Sequence, residues 1–402
     1  MVVLLSLLTL PLQQIKIEGV NHITVGVIYS GKQVTKAGEF LAENTSDDRV
    51  QFNQFFDVLV YWRSEHSIAL EKAFILLQEV VTPIEKNALF AKRLKRYVSI
   101  VSKLQRFESM TLRKMQDIGG CRAVVSSEKK VRKIVRELRK NQVFHFDNKK
   151  FRFKDYIEHP KKDGYRSYHI VGQFISGDQT AKNIELQIRT YLQHYWATAL
   201  EIIDLFTNQS LKTNQGNKEW EEFFTSVASL FAVLDKIPSY HHLDNEKRVD
   251  GFFSKADQSV DEVGNQLDNL AKIVRKLDIV RLFSTFANSL KIIGDELIDH
   301  DKAGYILLVI DPDKEQLQYT IFDNDQSSIA QEKYAKEESF AAAPDNNLIV
   351  ALVFTSSVDD VKAAYPNFFA DSSKFIEHLD TLMIAERIVQ RNVLKRISSK
   401  FF

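Results

Sequence analysis

Two acidic residues in separate segments could bind a metal ion. Asp117 precedes two glycines and an apolar run typical of a β-strand, and Glu185 lies in the alternating segment 184–190, IELQIRT, on one face with Gln187 and Arg189. Two carboxylates that face each other are a usual way to hold the Mg²⁺ of a nucleotide. A magnesium site is therefore one interpretation; a capped turn and a solvated strand face are the alternatives.

Basic residues crowd the segment that precedes Asp117. The spacing predicts a helix over residues 87–107, which would place Lys95, Ser99 and Lys103 on one face. A row of cations with a hydroxyl suits a polyphosphate, because each cation offsets charge that would repel a nucleophile. An ordinary solvated basic face is the alternative.

A third segment combines a loop with aromatic side chains. Residues 154–169, KDYIEHPKKDGYRSYH, contain Pro and Gly and run into a strand, where alternation directs Tyr165, Ser167 and His169 to one side and Tyr168 to the other. A ring at such a junction, with cations nearby, could stack on a nucleotide base. The alternative is that these rings are partly buried structural residues.

The composition restricts what the whole chain can be. With 54 basic and 53 acidic residues among 402, the net charge is +1, so contacts with nucleotides should be local. The hydrophobic share of 44% and charged share of 27% are typical of a soluble globular protein. The single cysteine, Cys121, excludes an intrachain disulfide framework and fits a reducing cytoplasm, where we expect the protein to be located.

Shifts in periodicity predict the elements and their grouping. Helices precede residue 90, a mixed set of strands and helices follows, and an α/β (α+β) fold is expected. The predicted divisions are an N-terminal extension over 1–25, a helical segment over 26–90, an α/β domain over 91–210, a helical region over 211–297 and a small α/β module over 298–402. The apolar stretch 1–12 is shorter than a membrane span, so no membrane association is expected.

Taken together, the segments resemble the synthetase domain of RelA/SpoT proteins, the GTP pyrophosphokinases that make the alarmone (p)ppGpp. Four motifs carry the resemblance: R-x-K-x-x-x-S-I from Arg93, D-x-x-G-x-R from Asp117, D-Y-I-x-x-P-K-x-x-G-Y-x-S-x-H from Asp155, and E-x-Q-I-R-T from Glu185 followed by W-A-x-x-x-E from Trp196. The sequence near Ser30 and Trp62 is similar to standalone bacterial members rather than to the long ribosome-associated enzymes.

The resemblance implies a fold, a reaction and a set of site residues. The fold is a nucleotidyltransferase-like mixed β-sheet flanked by helices, and the reaction moves the β,γ-pyrophosphate of ATP to the 3′-OH of GDP or GTP, releasing AMP. Asp117 and Glu185 would bind Mg²⁺ and act in catalysis, with Glu185 also a candidate to take the 3′-OH proton. The ATP-binding residues would be Arg93, Lys95, Ser99, Lys103 and Arg122. The acceptor-binding residues would be Lys161, Tyr165, His169, Gln187 and Arg189, with Tyr165 stacking on guanine.

Some features depart from the family or leave alternatives open. Glu201-Ile202 stands where many members have Glu-His, and the helices before residue 90 are too short for the family's hydrolase domain, so neither alarmone hydrolysis nor a Mn²⁺ site is expected. One alternative is a toxin-type relative that pyrophosphorylates the 3′ end of tRNA, for which the basic segment 129–140 is a candidate contact. Another is a non-catalytic nucleotide-sensing protein. Residues 211–402 could regulate, form a homo-oligomer or bind a partner.

Overall fold

A computed structural model gives the fold for most of the chain. It describes residues 28–43, 49–95, 97–146, 150–177, 179–207, 218–256, 259–280, 283, 304–311, 316–323, 326–341, 348–355 and 372–401. The apolar stretch 1–12 lies outside the described residues. Among the helices in these ranges, none is both long enough and apolar enough to cross a membrane.

The first half of the chain forms a five-stranded sheet with helices around it. Its elements are α1 Gly31–Glu43, α2 Arg49–Ser64, α3 Ser67–Val81, β1 Leu89–Leu94, α4 Tyr97–Arg106, β2 Gly119–Val125, α5 Glu128–Leu138, β3 Arg152–Asp155, β4 Tyr168–Ile175, β5 Ala181–Thr190 and α6 Tyr191–Thr207. The strand order is β1-β2-β5-β4-β3, with β2 and β5 parallel and the other pairs antiparallel. The predicted mixed sheet flanked by helices is confirmed.

The second half adds helices and a smaller sheet. Its elements are α7 Lys218–Leu234, α8 Asn245–Lys255, α9 Val260–Lys276, β6 Gly304–Asp311, β7 Gln316–Asp323, α10 Ser327–Ala341, β8 Ile349–Thr355 and α11 Ser372–Phe401. Strands β7, β6 and β8 form an antiparallel sheet against which α10 packs. Helix α11 contacts α6, α8 and α9, so the C-terminal helix completes a core that begins in the first half. The domain boundaries given above stay predictions.

The predicted helix over residues 87–107 is wrong in its first half. Residues 89–94 are the edge strand β1, which pairs antiparallel with β2, and α4 begins only at Tyr97. The backbone N–H of Lys95 donates to the carbonyl of Ile118 at 2.7 Å where the strand ends. Short apolar patterns fit either period, and here pairing with β2 satisfies the backbone groups that decide between them. Lys95 therefore lies at the end of a strand rather than on a helix face.

The segment after α5 is apolar and aromatic but forms no regular strand over residues 142–146. It contains a short 3₁₀ turn at Gln142–Phe144 and a single bridge between Phe146 and Lys150. Asn141 begins the turn, and its side-chain oxygen accepts a hydrogen bond from the backbone N–H of Val143 at 3.1 Å. This local bond gives the backbone an alternative to a sheet ladder.

The two faces of the five-stranded sheet differ in polarity. Ile170, Leu186 and Ile188 are fully buried on one face, against a core that includes residues of α3 and α5. Alternation then places Glu185 and Gln187 on the other face. The sheet thus buries apolar residues on one side and presents polar residues on the other.

The small C-terminal sheet is tied to the N-terminal helices by a buried ion pair. Arg63 Nη1 of α2 lies 3.3 Å from Glu338 Oε1 of α10, and the two side chains are 5% and 9% exposed. Burial alone would lower the pKa of Arg63, but Glu338 and Tyr334 raise it, so Arg63 stays charged. A buried pair of this kind fixes α10 against α2 because either partner alone would be an uncompensated charge.

We expect Glu338→Gln to lower the free energy of unfolding by about 3 kcal/mol, since Arg63 would remain buried without its counter-charge. Chemical denaturation measures the change. The matched control is Glu137→Gln, which removes an exposed partner of Lys140 and should leave the free energy of unfolding nearly unchanged. Equal stability of Glu338→Gln and the unsubstituted protein would contradict a stabilising role for the pair.

Candidate active site

Strand register brings the predicted polar residues onto one face of the sheet. Glu185 of β5 pairs with Gly120 of β2, and Gln187 pairs with Arg122 on one side and with His169 of β4 on the other. Residues that pair directly across neighbouring strands point to the same face. The register therefore aligns Glu185, Gln187, Arg122 and His169 along a single surface.

Asp117, in the turn before β2, is held between two lysines from different elements. Lys95 Nζ donates to Asp117 Oδ2 at 3.0 Å, and Lys103 Nζ of α4 donates to Oδ1 at 2.8 Å. Burial would raise the pKa of Asp117, but the two ammonium groups hold it below its usual value. The carboxylate is therefore ionised, and each of its oxygens already faces a cation.

Glu185 is held by two neighbours on the same face of the sheet. His169 Nδ1 donates to Glu185 Oε1 at 3.1 Å, and Gln187 Nε2 donates to Oε2 at 2.7 Å. Burial would raise the pKa of Glu185, but His169 and these hydrogen bonds lower it strongly. In turn Glu185 and Tyr165 raise the pKa of His169 to about 9 against the effect of burial. The pair is thus an imidazolium and a carboxylate at neutral pH.

The two carboxylates act on each other electrostatically. The charge of Glu185 raises the pKa of Asp117, and Lys103 lowers the pKa of both groups. Charges couple in this way when they share a partly buried site.

Within the described residues no cluster of three or more metal-ligating side chains occurs. Two ionised carboxylates nevertheless fit Mg²⁺, which keeps waters and phosphate oxygens as its other ligands.

Guanidinium groups make the same face strongly positive. Burial, together with repulsion from Arg189 and Arg93, holds the pKa of Arg122 well below its usual value, and Glu201 offsets only part of this effect. Arg189 is 4% exposed, and its Nε has no hydrogen-bond partner among the described residues. Burial and mutual repulsion make these charged groups unfavourable on their own, so the arrangement is suited to an anionic ligand. Ser99 lies one helical turn before Lys103 on α4.

The loop that carries Tyr165 brings an aromatic ring to the edge of this face. Tyr165 Oη lies 2.9 Å from His169 Nε2, and Lys161 Nζ lies 4.5 Å from the centre of the Tyr165 ring. Burial would raise the pKa of Tyr165, but His169, Arg189 and Lys161 lower it to about 8. The ring is therefore fixed by its hydroxyl, with a cation against one face.

Helix α7 supports the Tyr165 loop from outside the predicted site. Gly164 has φ +92°, and a Cβ at this position would lie 2.6 Å from the Cβ of Ala228 on α7. Trp196 Nε1 of α6 donates to the carbonyl of Phe224, also on α7, at 2.8 Å. The sequence predicts a helical region over 211–297 but not the contact of α7 with this loop, because that contact depends on packing between distant segments. The glycine before Tyr165 is the one local signal.

A buried carboxyl next to the end of α7 was also missed. Thr190 Oγ1, at the end of β5, donates to Asp235 Oδ2 at 2.7 Å, just after α7. Burial raises the pKa of Asp235 to about 8, so this carboxyl is neutral over much of the physiological range. The bond ties the end of the central strand β5 to α7, and nothing in the local sequence around Asp235 indicates it.

We expect Gly164→Ala to destabilise the protein by about 2 kcal/mol, because a side chain at positive φ is strained and would also press on Ala228. Chemical denaturation and the NMR shift of the Trp196 indole N–H report the change. The control is Gly177→Ala, whose Cβ would meet only the Cδ1 end of Ile68 and should be tolerated. An unshifted Trp196 signal in Gly164→Ala would contradict the tight packing of loop and helix.

Comparison with known proteins shows what the region that carries the site is similar to. GTP pyrophosphokinase YwaC of Bacillus subtilis (strain 168) is 32% identical to this chain over 124 residues, and the match covers 29% of this chain and 56% of YwaC. GTP pyrophosphokinase YjbM of the same organism is 36% identical over 116 residues, and the match covers 26% of this chain and 51% of YjbM. The chain thus spans about half the length of these relatives. The crystal structure of small alarmone synthetase 1 from Bacillus subtilis bound to its product pppGpp is 24% identical, with 46% of this chain and 93% of that chain covered and a TM-score of 0.36. The model of the region found in RelA/SpoT proteins matches residues 92–202, and so the resemblance predicted from the motifs is confirmed for that part of the chain.

Proposed function

We propose that this chain is a pyrophosphokinase that transfers the β,γ-pyrophosphate of ATP to the 3′-OH of GDP or GTP and releases AMP. The observation that carries the proposal is the electrostatic site in which Asp117, ionised between Lys95 and Lys103, is coupled to the ionised Glu185. The curated relatives named as GTP pyrophosphokinases support the same reaction.

On the ATP side, the chain supplies positive charge before the substrate arrives. Lys95 and Lys103 are paired with Asp117, and Arg122 faces other cations. A triphosphate would give Arg122 a closer anionic partner and would give Lys95 and Lys103 an alternative to Asp117. The charge of these groups would offset the repulsion between phosphate oxygens and an attacking oxygen. Arg93 and Ser99 are assigned to ATP in the same proposal, from their positions in the family motif.

Asp117 and Glu185 would hold Mg²⁺, which when bound neutralises phosphate charge and helps to orient the transferred group. Each carboxylate is kept ionised by its own neighbours, so neither must lose a proton before binding a cation. The lysines that now occupy the oxygens of Asp117 could then turn to the phosphates, which keeps the local charge nearly balanced.

On the acceptor side, the ring of Tyr165 would stack on guanine once Lys161 leaves its face for a phosphate. The 3′-oxygen would attack the β-phosphorus, the bond to the α-phosphate oxygen would break, and the 3′-OH proton would pass to Glu185. His169 and Gln187 hold both oxygens of Glu185 in place, so that its orientation is set before the acceptor binds. Arg189, whose Nε has no partner among the described residues, is assigned to the acceptor phosphates.

A cytoplasmic location belongs to the same proposal. Cys121 is a free and buried thiol, and burial raises its pKa, which suits an unreactive core residue in a reducing compartment. Assembly into a homo-oligomer stays a prediction.

Transfer of label from β,γ-labelled ATP tests the reaction, with GDP, GTP and total tRNA offered as acceptors. We expect label in a guanosine nucleotide and a fall of at least about 100-fold in Asp117→Asn and in Glu185→Gln, because each loses a charge at the reacting phosphates. The matched control is Glu158→Gln, which changes a carboxylate that is 68% exposed and should leave the rate within about twofold.

Three results would contradict the proposal. Label that appears only in tRNA would assign the chain to the tRNA-modifying type of enzyme. A protein that binds ATP but transfers label to no acceptor would assign it to nucleotide sensing. Unchanged transfer in both Asp117→Asn and Glu185→Gln would separate the reaction from this site altogether.

A further inference from the structure

A cavity lies on the far side of the sheet from the candidate active site. It has a volume of about 590 Å³ and lies between α5 and the strands β3 and β4, and its walls include Lys129, Arg132, Arg136, Arg139, Phe153 and Tyr168. We call it the α5 groove. Phe153 pairs with Ile170, whereas the neighbouring Lys154 pairs with His169 of the site, so the groove and the site are on opposite faces.

One wall of the α5 groove is a row of cations. Lys129, Arg132 and Arg136 of α5 and Arg139 directly after it recur at helical spacing along one stripe. The stripe spans about 15 Å at 1.5 Å per residue. Arg132 is paired with Asp155, the one carboxylate in the lining. Lys129 and Arg136 are exposed, and neither has an ion pair among the residues that the structure describes. The groove therefore carries uncompensated positive charge.

The other wall is aromatic and partly open to solvent. Phe153 is 47% exposed, and its ring stacks parallel to that of Tyr168 at a centroid distance of 5.8 Å and an interplanar angle of 3°. The guanidinium of Arg139 lies 4.6 Å from the centre of the Phe153 ring and donates to Tyr168 Oη. An exposed ring is thus held in a fixed plane beside the cations.

We propose that the α5 groove binds single-stranded nucleic acid. The cation row would contact successive backbone phosphates, and Phe153 would stack on a base. A free nucleotide fits less well, because a row about 15 Å long exceeds one triphosphate and the exposed walls would leave much of a small ligand in water. The proposal does not depend on the reaction proposed above, since none of the groove residues belongs to that site.

Fluorescence anisotropy of the full chain with labelled oligouridylate and oligothymidylate tests the proposal. We expect both strands to bind, because neither phosphate contact nor stacking needs a 2′-hydroxyl. Lys129→Glu with Arg136→Glu should weaken binding at least about tenfold. The same double variant should flatten the salt dependence, by roughly 0.7 in the logarithmic slope for each phosphate that no longer meets a cation. Phe153→Ala should weaken binding by roughly tenfold.

Matched controls separate this groove from general basic attraction. Lys133→Glu makes the same charge change as the single groove variant Arg136→Glu, at an exposed position of α5 outside the groove lining, and Phe340→Ala removes another exposed ring. Both should bind nearly as tightly as the unsubstituted protein. The groove variants should keep their circular dichroism spectrum and their pyrophosphate transfer without nucleic acid.

Four results would overturn the proposal. The first is that neither strand binds, and the second is that Lys133→Glu and Arg136→Glu lose equal binding affinity. The third is that a duplex of the same length binds as tightly as the single strand. The fourth is that ATP or GTP at equal concentration displaces the strand. The last result would make the α5 groove a nucleotide site. Loss of transfer with intact strand binding would concern only the reaction proposed above.

Discussion

The carboxylate of Asp117 between the ammonium groups of Lys95 and Lys103 is the contact on which the site depends. It joins three elements, since Lys95 directly follows β1, Lys103 lies on α4, and Asp117 precedes β2. A partly buried carboxylate without these partners would be costly, and so would the lysines without it. The same contact therefore positions α4 against the sheet and stores positive charge where a triphosphate would bind.

The sequence predicted best those features that depend on local alternation. The period of two over residues 184–190 placed Glu185 and Gln187 on one face, because each side chain in a strand is opposite to the next. Lys95 was placed on a helix, since the apolar residues around it fit that period, and only pairing with the distant β2 shows that the segment begins as a strand. Lys95 and Lys103 nevertheless lie near each other, because both donate to Asp117 and not because they share a helix face.

Contacts between distant segments could not be predicted from one sequence. The close approach of Gly164 to Ala228 and the bond from Thr190 to Asp235 make α7 a support for the Tyr165 loop and for β5, although α7 lies beyond the matched region 92–202. The Arg63–Glu338 pair likewise binds α10 to α2 across most of the chain. No local pattern specifies such partners, because they follow from how whole elements pack.

A crystal structure with Mg²⁺ and a non-hydrolysable ATP analogue tests the central claim most directly. The account predicts one ion with an oxygen of Asp117 and an oxygen of Glu185 both about 2.1 Å away, and it predicts Lys95 and Lys103 on phosphate oxygens. An ion bound by only one of these carboxylates, or an analogue bound elsewhere while both lysines remain on Asp117, would contradict it.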